Sequence, residues 1–551
     1  MSSFTKDLHK TWELTTLGEV YQVIGGGTPS TEIPGYWDGD IPWITSADIE
    51  GVRQINIRKY VTEKGISGST TNRVPAKTLL VVTRVGLGKI AIAEEPICFS
   101  QDLQGLIQNP KLIFPEYTLY LLSYKLQFLK FDGRGTTISG ITKKQLKDLD
   151  FPLPPLREQY RIVAKIEELF SELDKGIENL KTAQSQLKVY RQALLKHAFE
   201  GKLTAQWRAE RNVTPAKAGA QPLNDMDSRL RGNDKPLETA EALLKRIQQE
   251  RAQRYQQQLA DWEKSPSIPL LQRGKPASTA HIPPLEKGGR GGISKPKPPK
   301  SLPPLTAEEL AGLPELPEGW GWVKYGELTV GSQNGISKRS GETGRELVVL
   351  RLADITDQKI SLDNPRKILL TENEINNYRL FKNDLICIRV NGSADLVGRI
   401  ISIKEDMEVA YCDHFIRYRL LNKIISPIYL QHFFNTLSVR RYVELNKVSS
   451  AGQNTVNQEM LGSVLVAICG AEEQEVIVEL LDTQLSETDQ LDQTITTSLQ
   501  QAEALRQSIL KKAFSGQLVP QDPNDEPASA LLTRIKAERA DTALKTKRKT
   551  T

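Results

Sequence analysis

LREQYRIVAKIEELFSELDKGIENLKTAQSQLKVYRQALLKHAFEGKL, residues 156–203, returns later in the chain as AEEQEVIVELLDTQLSETDQLDQTITTSLQQAEALRQSILKKAFSGQL, residues 471–518. The two stretches align without a gap, position 156 against 471, a constant offset of 315. Glu158-Gln159 meets Glu473-Gln474, and Leu195, Lys196, Ala198 and Phe199 meet Leu510, Lys511, Ala513 and Phe514. A fixed-period self-match of this length marks a duplicated unit. The match continues downstream, where TAEALLKRIQQERA (239–252) echoes ASALLTRIKAERA (528–540). Upstream, ISGITKKQL (138–146) lies opposite QNTVNQEML (453–461). Further upstream only fragments correspond. Ala47-Asp48-Ile49 resembles Ala353-Asp354-Ile355, and Trp12 with Leu17-Gly18-Glu19 resembles Trp322 with Tyr325-Gly326-Glu327. The chain therefore reads as two divergent front modules on two copies of one scaffold.

The scaffold is helical by its periodicity. Ile162, Ile166, Leu169, Leu173, Ile177, Leu180, Leu187 and Leu194 step by three, four and seven, and Ile477, Leu481, Leu485, Ile495, Leu499 and Ile509 repeat the stripe. Glu, Lys and Gln fill the intervening positions, as an exposed helix requires. Pro152, Pro154 and Pro155 set the first start, and Gly201 and Gly516 suit the position that ends each helix. At ~1.5 Å per residue, roughly 45 residues make a rod of about 65–70 Å with one narrow apolar face. Such a helix needs a partner, and the other copy supplies one. A twofold relation between equal copies makes the helices antiparallel and sends the modules to opposite ends. A heptad stripe alone also fits a generic dimerisation coil; the duplication with attached modules argues for the ruler geometry.

The modules mix short strands with Gly/Pro turns. TLLVVTRVG (78–86) and GKIAIAEE (88–95) read as strands about a turn, and YTLYLLSYKLQFLKF (117–131) reads as a helix. The second module repeats this grammar with DLICIRVNGS (384–393), VGRIISIKE (397–405), YCDHFIRYRL (411–420) and a helix near 426–443. The expected fold is α+β: two globular recognition domains joined by two long antiparallel coiled-coil helices with pseudo-twofold symmetry. The expected division is 1–155 for the first recognition domain, 156–207 for the central helix and 208–319 for an extended linker with a helix at 237–264. Residues 320–470 follow as the second recognition domain, 471–520 as the second helix and 521–551 as a C-terminal helix with a basic tail.

Both modules carry turns that combine cations, hydroxyls, amides and glycines. Arg and Lys suit guanine or phosphate, Asn and Gln suit adenine, and glycine admits close backbone approach. The candidate DNA contacts in the first module are Thr28, Ser30, Arg84, Lys89, Arg134, Thr136 and Thr137. In the second they are Arg389, Asn391, Ser393, Arg399, Ser450, Gln453 and Asn454. Each loop singly also fits a solvated turn; their placement in the divergent parts is what a variable reader needs. The repeated faces at Leu195, Lys196 and Phe199 and at Leu510, Lys511 and Phe514 are candidate docking surfaces for a partner, with packing between the two helices as the alternative.

Composition narrows the function classes. The charge is +6, from 73 basic against 67 acidic residues, too mild to mark a polyanion binder without its distribution. Cys98, Cys387, Cys412 and Cys469 are scattered and form no CxxC pair, which fits reduced core thiols. The five histidines show no zinc spacing, and no apolar run reaches a membrane span, so no metal site and a cytoplasmic location are expected. No G-x-x-x-x-G-K-S/T phosphate loop, G-x-S-x-G elbow or G-x-G-x-x-G dinucleotide motif is present. The chain is expected to be non-catalytic.

PLPPLREQYRIVAKIEELF, LLKHAFEGKLTAQW, LPELPEGWGWVKYGEL and the opening GGGTPST with YWDGDIPWITSADI resemble the specificity subunits of type I restriction–modification systems. The order of variable domain, helix, variable domain, helix resembles theirs too, over about 400 residues or more. That resemblance implies sequence-specific binding of double-stranded DNA at a bipartite target. It implies assembly with two methyltransferase subunits and two restriction subunits. S-adenosylmethionine, ATP and Mg2+ would sit on those partners and none in this chain. The competing reading is a coiled-coil scaffold whose end modules bind proteins. One departure is the long connection: 214–235 and the Pro/Gly/Lys-rich 265–301 read as insertions at loop tips.

Overall fold

The computed structural model describes residues 9–51, 54–84, 86–129, 140–212, 237–264, 298, 302–356, 359–421 and 424–550. Apart from position 298, the two inserted segments lie outside the described residues, as do Arg134, Thr136 and Thr137.

The repeated stretches are two helices of 44 residues each, Leu156–Phe199 and Ala471–Phe514. They end identically. Gly201 and Gly516 hold φ of +69° and +76°, where a Cβ would strain the backbone. Lys202 N–H donates to the His197 carbonyl at 2.8 Å, and Gln517 N–H to Lys512 at 2.9 Å. Both are Schellman closures that satisfy otherwise orphaned carbonyls.

The chain separates into two compact units, and the cut falls in the middle of each long helix. Unit 1 is Met1–Gln184 with Gln493–Thr551, and unit 2 is Ser185–Asp492. The expected division put each long helix in a segment of its own. The units cut elsewhere because each module packs on one half of each helix. In unit 1, Ile162, Val163 and Ile166 share a core with Leu510, Ala513 and Phe514. In unit 2, Leu194, Leu195, Ala198 and Phe199 share a core with Ile477 and Leu481. Low numbers on one helix meet high numbers on the other, so the pairing within each unit is antiparallel. The ion pair Asp174–Arg506 in unit 1 reappears in unit 2 as Asp489–Arg191, each residue replaced by its counterpart at the offset of 315.

The modules share one strand order. In unit 1, Gln22–Gly25, Leu103–Ile107, Leu79–Val82 and Ile90–Ile92 form an antiparallel sheet in that order. In unit 2 the order is Thr329–Asn334, Phe415–Leu420, Leu385–Ile388 and Ile400–Ser402. A second sheet in each unit contains one parallel pair, Trp37–Ile44 with Ile97–Phe99 and Arg345–Leu350 with Val409–Tyr411. A two-stranded ribbon ties each module's start to the strand before its long helix: Glu13–Thr16 with Asp150–Leu153, and Gly321–Lys324 with Leu465–Ile468.

The expected helix at 117–131 is Pro115–Leu129, and the one at 237–264 is Ala240–Lys264. The single helix expected at 426–443 is two, Pro427–Phe433 and Leu437–Asn446. Asn435 and Thr436 break it by donating side-chain hydrogen bonds to the Gln431 and Phe433 carbonyls, 3.1 and 2.7 Å.

Candidate nucleic-acid interface

The scaffold holds each module through the same buried contacts. Trp12 donates its indole N–H to Glu158 at 3.0 Å, and Trp320 donates to Glu473 at 2.9 Å. The structure thus pairs Trp12 with Trp320, not with Trp322, whose indole donates to the Pro314 carbonyl at 3.4 Å. Gln159 accepts from Phe114 N–H and donates to the Pro154 carbonyl; Gln474 accepts from Ser426 N–H and donates to the Cys469 carbonyl. Tyr117 and Tyr429 donate to the Pro152 and Ala467 carbonyls, each at 2.8 Å. Phe514 packs on Tyr117 and Phe199 on Tyr429, ring centroids 5.6 and 5.1 Å apart.

These contacts correct the expected docking faces. Leu195, Phe199, Leu510 and Phe514 are buried in the unit cores, so packing takes the side chains assigned to a partner. Lys196 and Lys511 alone of the six remain exposed. The Glu carboxylates are not equal. Burial raises the Glu158 carboxyl above its ordinary value, against the opposing pull of Gln521 and Trp12. Glu473 accepts from Trp320, from the Thr204 hydroxyl at 2.7 Å and from Arg208.

With the modules so anchored, the strand register gathers the candidate contacts at one edge of each. In unit 1, Gly25 pairs with Gln104 and Val82 with Leu103, which brings the loop after Gly25 beside the hairpin turn at 84–89. Thr28 donates to Gln101 at 2.5 Å, and Lys89 Nζ to the Ser46 carbonyl at 3.4 Å. Thr28, Ser30, Arg84 and Lys89 are exposed on this edge. The described chain resumes at Gly140 beside Arg84, with Ile141 N–H donating to the Thr83 carbonyl at 2.8 Å.

In unit 2 the edge is a small three-stranded sheet, Val390–Asn391, Gln453–Thr455 and Val448–Ser450. Its hairpin turns at Ala451 and Gly452, with φ of +48° and +74°. Positive φ at both central residues gives a tight turn whose twist matches the strands. Arg389 N–H donates to the His414 carbonyl at 2.7 Å, and its guanidinium to the Asp413 carbonyl at 3.1 Å. Asn391 Oδ1 accepts from Ser393 N–H at 2.8 Å, and Asn454 Nδ2 donates to the Gly392 carbonyl at 2.9 Å. Ser393, Ser450 and Gln453 are exposed and offer hydroxyl and amide groups outward. Arg399 stands apart, held by the Asp395 carbonyl at 2.7 Å and Asn435 at 3.1 Å.

The Ala-Asp-Ile fragments common to both modules are structural. Asp48 accepts from Thr45 N–H, and Asp354 from Arg351 N–H, each at 2.7 Å, closing a one-turn helix after the parallel-paired strand. Among the described residues, Cys412, Asp413 and His414 offer metal-ligand atoms within 4.8 Å of one another. Arg339 pairs with Asp413 at 3.1 Å, and its charge opposes a cation there. All four cysteines are buried thiols. Among the described residues no helix is long and apolar enough to cross a membrane.

Residues 9–182 match the family described as the Type I restriction modification DNA specificity domain. The chain is 39% identical over 231 residues to the type I restriction enzyme StySPI specificity subunit of Salmonella potsdam, covering 40% of this chain and 50% of that one. It is 24% identical over 467 residues to the EcoKI specificity subunit of Escherichia coli strain K12, covering 82% and 78%. The chain thus spans about half the length of the first relative. A solved structure described as "Structural basis underlying complex assembly and conformational transition of the type I R-M system" superposes with a TM-score of 0.59 at 17% identity. That match covers 93% of this chain and 99% of the other, and it is a likeness of fold.

Proposed function

We propose that this chain, similar in sequence to type I restriction enzyme specificity subunits, is the DNA-reading subunit of such a system and does no chemistry itself. The observation that carries the reading is the contrast within the duplication. Two modules of one strand order are held by matching contacts, yet present different side chains at the same edge. A reader of two unrelated half-sites needs a constant mount and variable edges. The unit 1 edge offers Thr28, Ser30, Arg84 and Lys89; the unit 2 edge offers Arg389, Ser393, Ser450 and Gln453. These groups suit guanine, adenine and phosphate contacts.

On this reading the target is bipartite, two short specific parts around a spacer. Two methyltransferase subunits bind the chain, carry S-adenosylmethionine and extrude the target adenine to modify it. Two restriction subunits with ATP and Mg2+ complete the assembly, which acts in the cytoplasm. Apolar side chains of the repeated helix ends are consumed by core packing, so docking falls to exposed positions such as Lys196 and Lys511.

The test is co-expression with a type I methyltransferase subunit from the same genome, followed by sequencing of adenine methylation. A two-part methylated motif is expected. A complex that forms and methylates no defined motif would overturn the proposal.

A further inference from the structure

Unit 2 contains a cavity of about 440 Å³ lined by four arginines, Arg251, Arg254, Arg417 and Arg419. The first two belong to the helix Ala240–Lys264. The other two lie on the strand Phe415–Leu420, two residues apart and so on one face. Their neighbours Ile416, Tyr418 and Leu420 enter the unit 2 core from the opposite face.

The partners of these arginines orient them without cancelling their charge. Arg417 donates to the Asn377 and Arg379 carbonyls at 3.1 and 3.0 Å, and to the Gln333 side chain. Arg251 donates to the Glu327 carbonyl at 3.3 Å. Asp384 lies 3.4 Å from Arg419, and Glu327 lies beside Arg251. Four guanidinium groups therefore converge on one cavity. Arg419 Nη2 is buried and makes no hydrogen bond. The planar guanidinium fork matches a phosphate's paired oxygens.

The site adjoins the recognition edge. Its wall includes Gly331, Ser332 and Gln333, and the same strand ends at Asn334. Ser332 and Asn334 both bond Gln458, which follows the edge hairpin. At ~3.4 Å per residue Gly331 lies about 10 Å from the strand end, roughly three nucleotide steps along one DNA strand at ~3.4 Å each. Unit 1 does not repeat the arginines. Arg539 takes the place of Arg251 and donates to the Gly18 carbonyl at 2.5 Å. Gly105 and Ile107 stand where unit 2 has Arg417 and Arg419, and Thr542 follows Arg539 in sequence as Arg254 follows Arg251.

We propose that this cavity binds a phosphodiester group, so that unit 2 grips the DNA backbone beside the bases it reads; the proposal rests on the DNA-reading function above. The test uses the full-length chain and Arg254→Gln, an exposed helix position. Binding to a target duplex and to a scrambled duplex is measured across a salt series, with inorganic phosphate titrated separately. Arg254→Gln is expected to weaken both duplexes by the same factor, about 3–10-fold, and to lower the salt slope by about one. An unchanged slope and affinity, with the parent chain binding DNA normally, would overturn the site and leave the reading function standing. If the parent chain bound neither duplex, the reading function would fall and the backbone assignment with it. Saturable phosphate binding lost in Arg254→Gln, with DNA affinity unmoved, would likewise overturn the backbone assignment in favour of a free phosphate.

Discussion

The two ends of each module obey different rules. At the scaffold end, unit 1 and unit 2 repeat contacts atom for atom: an indole on a glutamate, a glutamine bridging two backbone groups, a phenylalanine on a tyrosine. At the edge, the two share strand order and almost nothing else. The turn between Leu79–Val82 and Ile90–Ile92 in unit 1 and its counterpart between Leu385–Ile388 and Ile400–Ser402 in unit 2 differ in length and in side chains. Core packing tolerates few substitutions because every side chain has many neighbours. An exposed turn constrains only backbone conformation, so its side chains are free to differ.

The largest effect that would sharpen this comparison is at the two phenylalanines. Phe199→Ala and Phe514→Ala should each cost about 3–5 kcal/mol, since each empties a filled core position. Hydrogen exchange read peptide by peptide should place the loss in unit 2 for Phe199 and in unit 1 for Phe514. Loss spread equally over both units by either variant would break the equivalence.

Next come the glutamates. Glu473→Ala strips acceptors from Trp320, Thr204 and Arg208, while Glu158→Ala strips them from Trp12 and Gln521. Each should cost about 1–3 kcal/mol, with Glu473 the more expensive because it strips a half-buried arginine of its carboxylate partner. Urea denaturation of both variants checks the order.

Smaller is a pH effect that only one unit should show. Tyr120 reaches Glu167 at 3.4 Å in unit 1, and His432 takes the matching place against Asp482 at 2.8 Å in unit 2. Burial lowers the His432 ring below its ordinary 6.5, only partly offset by Asp482. The unfolded ring therefore takes a proton first, and unit 2 loses stability as pH falls through 6.5. Thermal denaturation against pH should show this slope in the parent chain and not in His432→Gln.

Least of all, reversing Arg191 or Asp489 singly should cost under about 1 kcal/mol, and exchanging both should restore it. Failure of the exchange, read from denaturation midpoints, would mean the pair has no register role.

Much of this was legible in the chain. The helices, their glycine ends and the hairpin at 84–89 follow from local periodicity and turn chemistry. The strand order was not, because pairs such as Gly25–Gln104 depend on residues far apart in sequence. Trp12 resembles Trp322 in its neighbours, but Trp320 has the same spacing to the following glycine as Trp12, and the structure shows that Trp320 points to the glutamate. Asn391 Oδ1 and Asn454 Nδ2 also bond neighbouring backbone, a local role that the sequence does not announce. The docking faces failed for a related reason. Leucine and phenylalanine at a helix end look alike whether they meet a partner or the chain's own module. The arginine cavity joins three distant segments, and no single stretch announces it.

The central claim is that the two edges read independently on one mount. The direct test is the methylated motif of the parent complex against that of a variant carrying Ser450→Ala and Gln453→Ala. The account predicts a two-part motif in which the variant relaxes one part and leaves the spacer and the other part unchanged. An uninterrupted motif, or a change in both parts at once, would contradict it.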